Sequence, residues 1–123
     1  PKRYGIRTDV HFNAEENVIT AMFELPGVKR ADLRLTMSVC PFSRVRQVSV
    51  SGVSRGMLPI QGHQVHERKF GEFFRTLAVP PETKPEDVLV LLEDGILTLK
   101  IPGGAPAQTE QPQDIPIPIS APH

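Results

Sequence analysis

Proline and glycine set the strongest limit on what this chain can fold into, because 13 prolines and 9 glycines punctuate its 123 residues. A proline inside a helix removes a hydrogen-bond donor and clashes with the preceding turn, so an all-helical fold is disfavoured. Between these breaks the apolar residues alternate. Ile19, Ala21, Phe23 and Leu25 interleave with Thr20, Met22 and Glu24, and this period of two predicts a strand over 18–25 that stops at the turn Pro26-Gly27. Val10 and Phe12 predict a short strand before it, joined through a turn at Asn13 to Asn17. Leu33, Leu35, Met37 and Val39 repeat the alternation until Pro41, which lacks the ladder N–H. Val48, Val50 and Gly52 face one way along a further strand, and the glycine there suggests a bend or a close backbone approach.

Residues 54–66 place two glycines and a proline around Met57, Leu58 and Ile60, which reads as a long excursion with at most one short strand. Long loops in compact domains usually have a function of their own, so this segment is a candidate interaction arm. Phe73, Arg75, Leu77 and Val79 alternate up to Pro80-Pro81, which puts an arginine on the apolar face of a strand. Val88 to Leu92 and Ile96 to Ile101 read as a hairpin, because Asp94-Gly95 between them supplies the positive φ of a tight turn. Helix is confined to one turn at most, at Pro85 to Val88. From Pro102 the composition shifts to Pro, Gly, Gln and Ala, so a folded body is expected over 1–101 and an extended tail over 102–123. Seven or so short strands with regularly spaced turns predict an all-β, immunoglobulin-like antiparallel β-sandwich.

The length allows one domain. Lys plus Arg total 14 and Asp plus Glu total 14, so no global field draws the chain to nucleic acid or to an anionic membrane, and its partners are expected to meet apolar surface. No apolar run approaches a membrane span. The single cysteine, Cys40, excludes an internal disulfide and a four-cysteine zinc site, and nothing marks the chain as secreted, so a cytoplasmic protein is expected. The chain begins at Pro1 with no signal-peptide pattern, and we read it as a fragment whose natural N-terminus lies upstream.

Catalytic motifs are missing: there is no nucleophile elbow, no phosphate-binding glycine loop and no GxGxxG before a helix. His63, His66 and Glu67 have a spacing that metal ligands can share, but without a cysteine or fourth ligand they read as exposed loop residues. Glu15 and Glu16 are adjacent on a turn and would diverge, which is unsuited to paired carboxylate chemistry. Cys40, at a strand end with no base nearby in sequence, reads as a small apolar filler. Lys29, Arg30, Arg34, Arg44 and Arg46 form a modest basic region without the aromatic ladder that single-stranded nucleic acid requires. No cofactor, no metal and no enzymatic activity are expected.

The informative element lies in the tail, at Ile115-Pro116-Ile117-Pro118-Ile119. Each proline fixes its own φ and drives the preceding residue into extended backbone, so the segment is stiff and presents isoleucines at a two-residue spacing. In a strand all of them lie on one face. Burying one isoleucine contributes roughly 2 to 3 kcal/mol, offset by an ordering entropy of about 1 to 2 kcal/mol per residue. One docking contact is therefore weak, and several in one assembly reinforce each other. The expected receptor is the most continuously aliphatic surface in the chain, a groove between the strand of Leu33, Leu35 and Met37 and the strand of Val88, Val90 and Leu92. Residues 102–114 would act as the tether, with a reach on the order of 20 Å.

In order and spacing these pieces resemble the α-crystallin domain and C-terminal extension of a small heat-shock protein, over about Thr8 to Ser120. Phe23-Glu24-Leu25-Pro26-Gly27-Val28, followed by Asp32-Leu33, is similar to the family's aliphatic-Pro-Gly turn. Phe70-Gly71-Glu72-Phe73 with Arg75 and then Pro80 resembles the strand that carries the family's signature arginine. Gly95-Ile96-Leu97-Thr98-Leu99 is like the hairpin that closes the domain, and Ile117-Pro118-Ile119, extended by Ile115, is like the I-x-I tail motif. Val90 stands where the family usually has alanine, and the Cys40 to Arg46 turn is longer than usual.

The resemblance implies a sandwich of seven to nine strands, a homodimeric building block, higher homo-oligomers, and an ATP-independent holdase that binds unfolding client proteins. It also matches residues 54–66 to the loop by which many members exchange a strand on dimerising, which makes Met57, Leu58, Ile60 and Arg75 the expected dimer interface. Arg75 should pair with a carboxylate, with Glu67 and Glu72 as candidates, or with backbone carbonyls. A p23-like co-chaperone or adaptor is the alternative within this fold, and a hydrolase or metal enzyme the alternative of another class.

Overall fold

A computed structural model describes residues 3–59, 61–103 and 114–118. Ile60 and Ile119, each singled out above, lie outside the described residues. Among those described, eight strands run in the order β1 (Arg3–Gly5), β2 (Thr8–Asn13), β3 (Val18–Glu24), β4 (Leu33–Val39), β5 (Arg46–Ser54), β6 (Gly71–Ala78), β7 (Leu89–Glu93) and β8 (Ile96–Pro102). Helix is limited to single 3-10 turns at Arg30–Asp32 and Pro85–Asp87, the second opened by its proline as the sequence suggests. The strands form two four-stranded sheets, β1-β6-β5-β4 and β2-β3-β8-β7.

The alternation sets which side chains meet. Ala21, Phe23, Leu97, Leu99 and Ile101 from one sheet and Val48 and Val50 from the other are buried together, and they form the core of a sandwich. Gly52 is a close approach, because a Cβ there would sit 3.0 Å from Val28 Cγ1. Asp94 and Gly95, at φ 53° and 76°, make the mirror-image two-residue turn that joins β7 to β8.

The strand β1 was not legible in the sequence. Its three residues pair in parallel with β6, Tyr4 opposite Phe73, and too few residues alternate for a pattern to show. Residues 55–70 contain no strand among those described.

The sheet order leaves two sides of the sandwich open. Strands β4 and β7 are the sheet edges on one side, and β1 and β2 are those on the other. Wherever one sheet overhangs, residues on its inner face meet solvent instead of the opposite sheet.

Candidate functional site

On the β4/β7 side the two sheets do not close. A groove with a cavity volume of about 320 Å³ lies between them, walled by Leu35 and Met37 from β4 and by Val90 of β7 with Val88 just before that strand. Val48 and Leu99 form its floor, and the lining is otherwise Thr36 and Pro85. The pairing explains the convergence: Leu35 is registered with buried Val50, Met37 with Val48, and Val90 with buried Leu99, so all point toward the interior. Interior-facing side chains at a sheet edge with no strand beyond them make an apolar trough.

Leu33 and Leu92, expected in the same wall, do not line this groove. Both pack against the core, and Leu33 lies over Gly52, with its Cδ1 3.7 Å from where a Cβ would stand. The floor residues Val48 and Leu99 were missed because they belong to central strands, and sequence periodicity reports which face a residue takes but not which gap it underlies. In the tail, Ile115 and Ile117 are 86% and 90% exposed, so neither is buried in this chain.

On the opposite side, β2 is an edge strand whose Val10 and Phe12 face inward, opposite Ala21 and Ile19, yet both are about half exposed. Arg75 of β6 is registered with Val50 and so points to the same inner face. Its partner is a backbone carbonyl, one of the alternatives expected above. Arg75 is exposed because the sandwich is open there, and its Nη1 donates to the Ile6 carbonyl at 3.4 Å. Glu72 does not serve as its partner but pairs with Arg3 Nη2 at 3.3 Å.

The 55–70 segment folds over Phe70. His66 stacks on that ring at 6.2 Å between centroids, the Arg68 guanidinium lies 4.8 Å above it, and Gly56 approaches its edge. A cavity of about 510 Å³ opens within this segment, with Met57, Leu58 and Val65 among its lining. Met57 and Leu58 are 92% and 71% exposed, so neither is covered by the other described residues of its own chain. The rings of His63 and His66 lie 4.3 Å apart. Among the described residues, no group of three or more His, Cys, Asp or Glu is placed to hold a metal ion.

Cys40 departs from its reading as an inert filler. It opens a turn in which its N–H donates to Val45 and its carbonyl accepts from Arg44, and Arg44 takes a φ of 60°. The residue is half-buried, but its thiol lies at the surface. The Ser43 hydroxyl, then the backbone amides of Ser43 and Phe42, lower the pKa of that thiol below its ordinary value by stabilising the thiolate. The signal in the sequence was Ser43, three residues on, a spacing that lets a turn fold back onto the side chain that opens it.

A family model described as the Hsp20/alpha crystallin family matches residues 11–118. Among curated proteins, the chain is 26% identical over 106 residues to the 17.4 kDa class I heat shock protein of Oryza sativa subsp. japonica, covering 86% of this chain and 66% of that protein. It is 30% identical over 100 residues to small heat shock protein C4 of Rickettsia felis, covering 78% of this chain and 55% of that protein. The chain thus spans between about half and two thirds of the length of these relatives. Among solved structures, heat shock protein 16.0 from Schizosaccharomyces pombe matches with a TM-score of 0.67 at 25% identity, over 91% of this chain and 98% of that one. A small heat-shock protein from Xylella fastidiosa has the same fold, with a TM-score of 0.66 at 22% identity, over 93% of this chain and 96% of that one.

Proposed function

Because the chain belongs to the Hsp20/alpha crystallin family, we propose that it acts as an ATP-independent holdase, capturing unfolding proteins on apolar surface and storing that surface under its own tail. The observation that carries this reading is the coexistence in one chain of an open apolar groove at β4/β7 and a stiff tail with exposed isoleucines. A groove walled by leucine, methionine and valine accepts aliphatic side chains of any sequence, which is what a binder of unfolded chains needs. The tail keeps it covered until a client competes. This gives self-assembly and client capture a common surface, with assembly reversible because each contact is weak.

The building block in this reading is a homodimer formed on the opposite side of the sandwich. Met57, Leu58 and Ile60 of one chain lie against the β2 edge of the other, where Val10 and Phe12 await cover and Arg75 is free to reach the incoming segment. Open strand edges invite such pairing, and exchange between two copies satisfies both. The family match favours this chaperone reading over a p23-like adaptor. A cytoplasmic site of action is consistent with a lone unpaired cysteine.

The test is light scattering of a heat-unfolding client with and without this chain, in the absence of nucleotide. Dose-dependent suppression is the expected result. Full aggregation at several-fold molar excess over several clients refutes holdase activity for this chain. Deleting residues 55–64 should give monomers on native mass measurement, and a fully dimeric deletion variant refutes the role of the arm.

A further inference from the structure

The sheet edges differ in what they carry on their outer faces. Among the described residues, β1 presents Arg3 and Gly5 outward, β2 presents Asp9, His11 and Asn13, and β4 presents Arg34, Thr36 and Ser38. Charged and polar side chains keep an edge solvated and discourage pairing. Strand β7 instead presents Leu89, Leu91 and Glu93, which are registered with Lys100, Thr98 and Ile96, while β8 buries Leu97, Leu99 and Ile101 on its other face. Leu89 and Leu91 are 68% and 55% exposed, and Val90, on the inner face, is 53% exposed. The strand is aliphatic on both faces and holds no lysine or proline to guard its edge. That is the pattern of a strand covered on both sides.

The backbone of that edge is also open. In an antiparallel ladder each residue turns both its N–H and its C=O to the same side, and successive residues alternate. Leu25 N–H donates to the Gly95 carbonyl at 2.8 Å, so the odd residues of β8 bond to β3 and its even residues to β7. Opposite those even residues, Leu89, Leu91 and Glu93 bond to β8, and Val90 and Leu92 turn their backbone groups outward. At β4 the bond from Cys40 N–H to the Val45 carbonyl fixes Leu35 and Met37 as the outward residues. A strand added at β4 would lie beside a polar outer row, and one added at β7 beside leucines.

A second copy of β7 fits this edge. Antiparallel pairing about a two-fold axis centred on Leu91 matches the strand Leu89–Glu93 with its copy over its whole length. Val90 then lies opposite Leu92 of the second copy, and Leu92 opposite its Val90, so all the outward backbone groups of the strand find partners. On the outer face Leu91 meets its own copy at the axis, and Leu89 lies opposite Glu93 of the second copy. Lys100, beside Leu89 in the parent sheet, offers that carboxylate a cation on the same face. A register centred on Val90 would instead set Glu93 opposite Asp87, and Asp94 opposite Glu86, of the second copy. Like charges directly opposite are destabilising, so charge selects the axis at Leu91.

We infer that β7 is a self-pairing edge, through which two chains join their β2-β3-β8-β7 sheets into one continuous sheet about a two-fold axis at Leu91. The pairing uses the outward backbone and the outer leucines of β7, so it is separate from the arm at the β2 edge and from side-chain contacts at Leu35 and Met37. A strand of five residues pairs weakly by itself and gains strength where another contact already holds two chains in one assembly. Because the contact is isologous, it uses up both edges at once and closes as a pair instead of growing into a fibre. An unguarded aliphatic edge is thereby kept from recruiting foreign strands.

The experiment is cysteine trapping in the full chain carrying Cys40→Ser, with either Leu91→Cys or Leu89→Cys added, under mild oxidation. At the axis the two Leu91 positions have Cα atoms about 4.5 Å apart, within disulfide reach. The two Leu89 positions lie about 14 Å apart in this register, beyond it. Expected is a disulfide-linked dimer as the main product of the Leu91→Cys chain and only a trace from the Leu89→Cys chain, although Leu89 is the more exposed of the two. Equal cross-linking of both reports random collision and overturns the pairing. A mixture of the two variants that cross-links better than either alone moves the axis to Val90 and overturns the register. As a second variant, Leu91→Lys sets two ammonium groups at the axis and should weaken association by about tenfold in a dilution series followed by light scattering. An unchanged mass distribution overturns the inference, and if client protection falls while that distribution stays unchanged, the face belongs to clients and not to a second copy.

Discussion

Replacing Ile117 by alanine tests the reversible assembly most directly, because Ile117 takes part whichever two of the tail's three isoleucines occupy the groove. The side chain is 90% exposed in the free tail, so nearly all of its apolar surface remains to be buried on docking. The substitution removes three carbon groups, each contributing about 0.8 kcal/mol when buried, so a fully seated Ile117 loses about 2 kcal/mol. That weakens one tail–groove contact by about thirtyfold. A dimer contributes two tails, and when both engage the same assembly the losses multiply to on the order of a thousandfold. Native mass spectrometry and multi-angle light scattering across a dilution series should show the larger species of the parent chain replaced by dimer at concentrations where the parent stays assembled. Near-ultraviolet circular dichroism should be unchanged, because Ile117 is exposed and lies outside the sandwich core. An unaltered mass distribution refutes the reasoning, as does a shift all the way to monomer, since the proposed dimer contact lies on the opposite side of the fold.

Arg75→Lys should leave the melting temperature of the isolated chain within about a degree or two, because the exposed guanidinium makes one long bond, to the Ile6 carbonyl, among the described residues, yet weaken the dimer, where a forked donor is lost. Unchanged dimer affinity by analytical ultracentrifugation counts against its interface role. Gly95→Ala should destabilise the fold by about 1 to 3 kcal/mol, since φ is +76° and the new Cβ would lie 3.2 Å from Pro26 Cα; urea denaturation with an unchanged midpoint refutes this. Ser43→Ala removes the largest stabiliser of the Cys40 thiolate, so the thiol pKa rises and alkylation by iodoacetamide near pH 7.5 slows. The sign follows from the lowered pKa, whose stabilising effect is present above the unfolded thiol's pKa and fades as pH falls through the folded value. Alkylation of the variant at the parent rate shows that the turn does not tune the thiol.

The features legible in the sequence are those set by local chemistry. Asp94-Gly95 specified its hairpin because few residue pairs accept two consecutive positive φ angles. Alternation placed Ala21, Phe23, Val48 and Val50 on inner faces because the side-chain period of a strand is two. Arg75 shows the limit of that rule: it takes the inner face that alternation assigned, but burial depends on how far the opposite sheet extends, which is a property of sheet order. Leu33 and Leu92 failed for the same reason, each sharing a face with groove residues while lying beyond the gap. Strand β1 went unread because three residues carry no period, and the Cys40 turn because its one sequence signal is Ser43, whose hydroxyl reaches the sulfur only through the path the backbone takes.

Sheet order also accounts for why the proposed assembly surfaces lie where they do. A sandwich that is not closed into a barrel must end each sheet somewhere, and every end exposes both unpaired backbone groups and the flank of the core. Here the ends differ in what they present. At β4 and β7 the exposed interior is aliphatic, and the backbone bonds outward at the same residues. A cover for that side must supply apolar side chains, which the tail's isoleucines carry. At β2 the exposed interior is Val10 and Phe12, with Arg75 facing the same opening from the other sheet. A cover there must satisfy a cation as well as apolar surface, which an isoleucine–proline strand lacks the polar groups to do. The two sides thus select different partners, and a tail substitution should leave dimerisation intact while an arm substitution leaves the groove intact. Assembly by two independent contacts, one strong and shared between two chains and one weak and repeated, allows larger species to dissolve and reform without unfolding the sandwich that carries them.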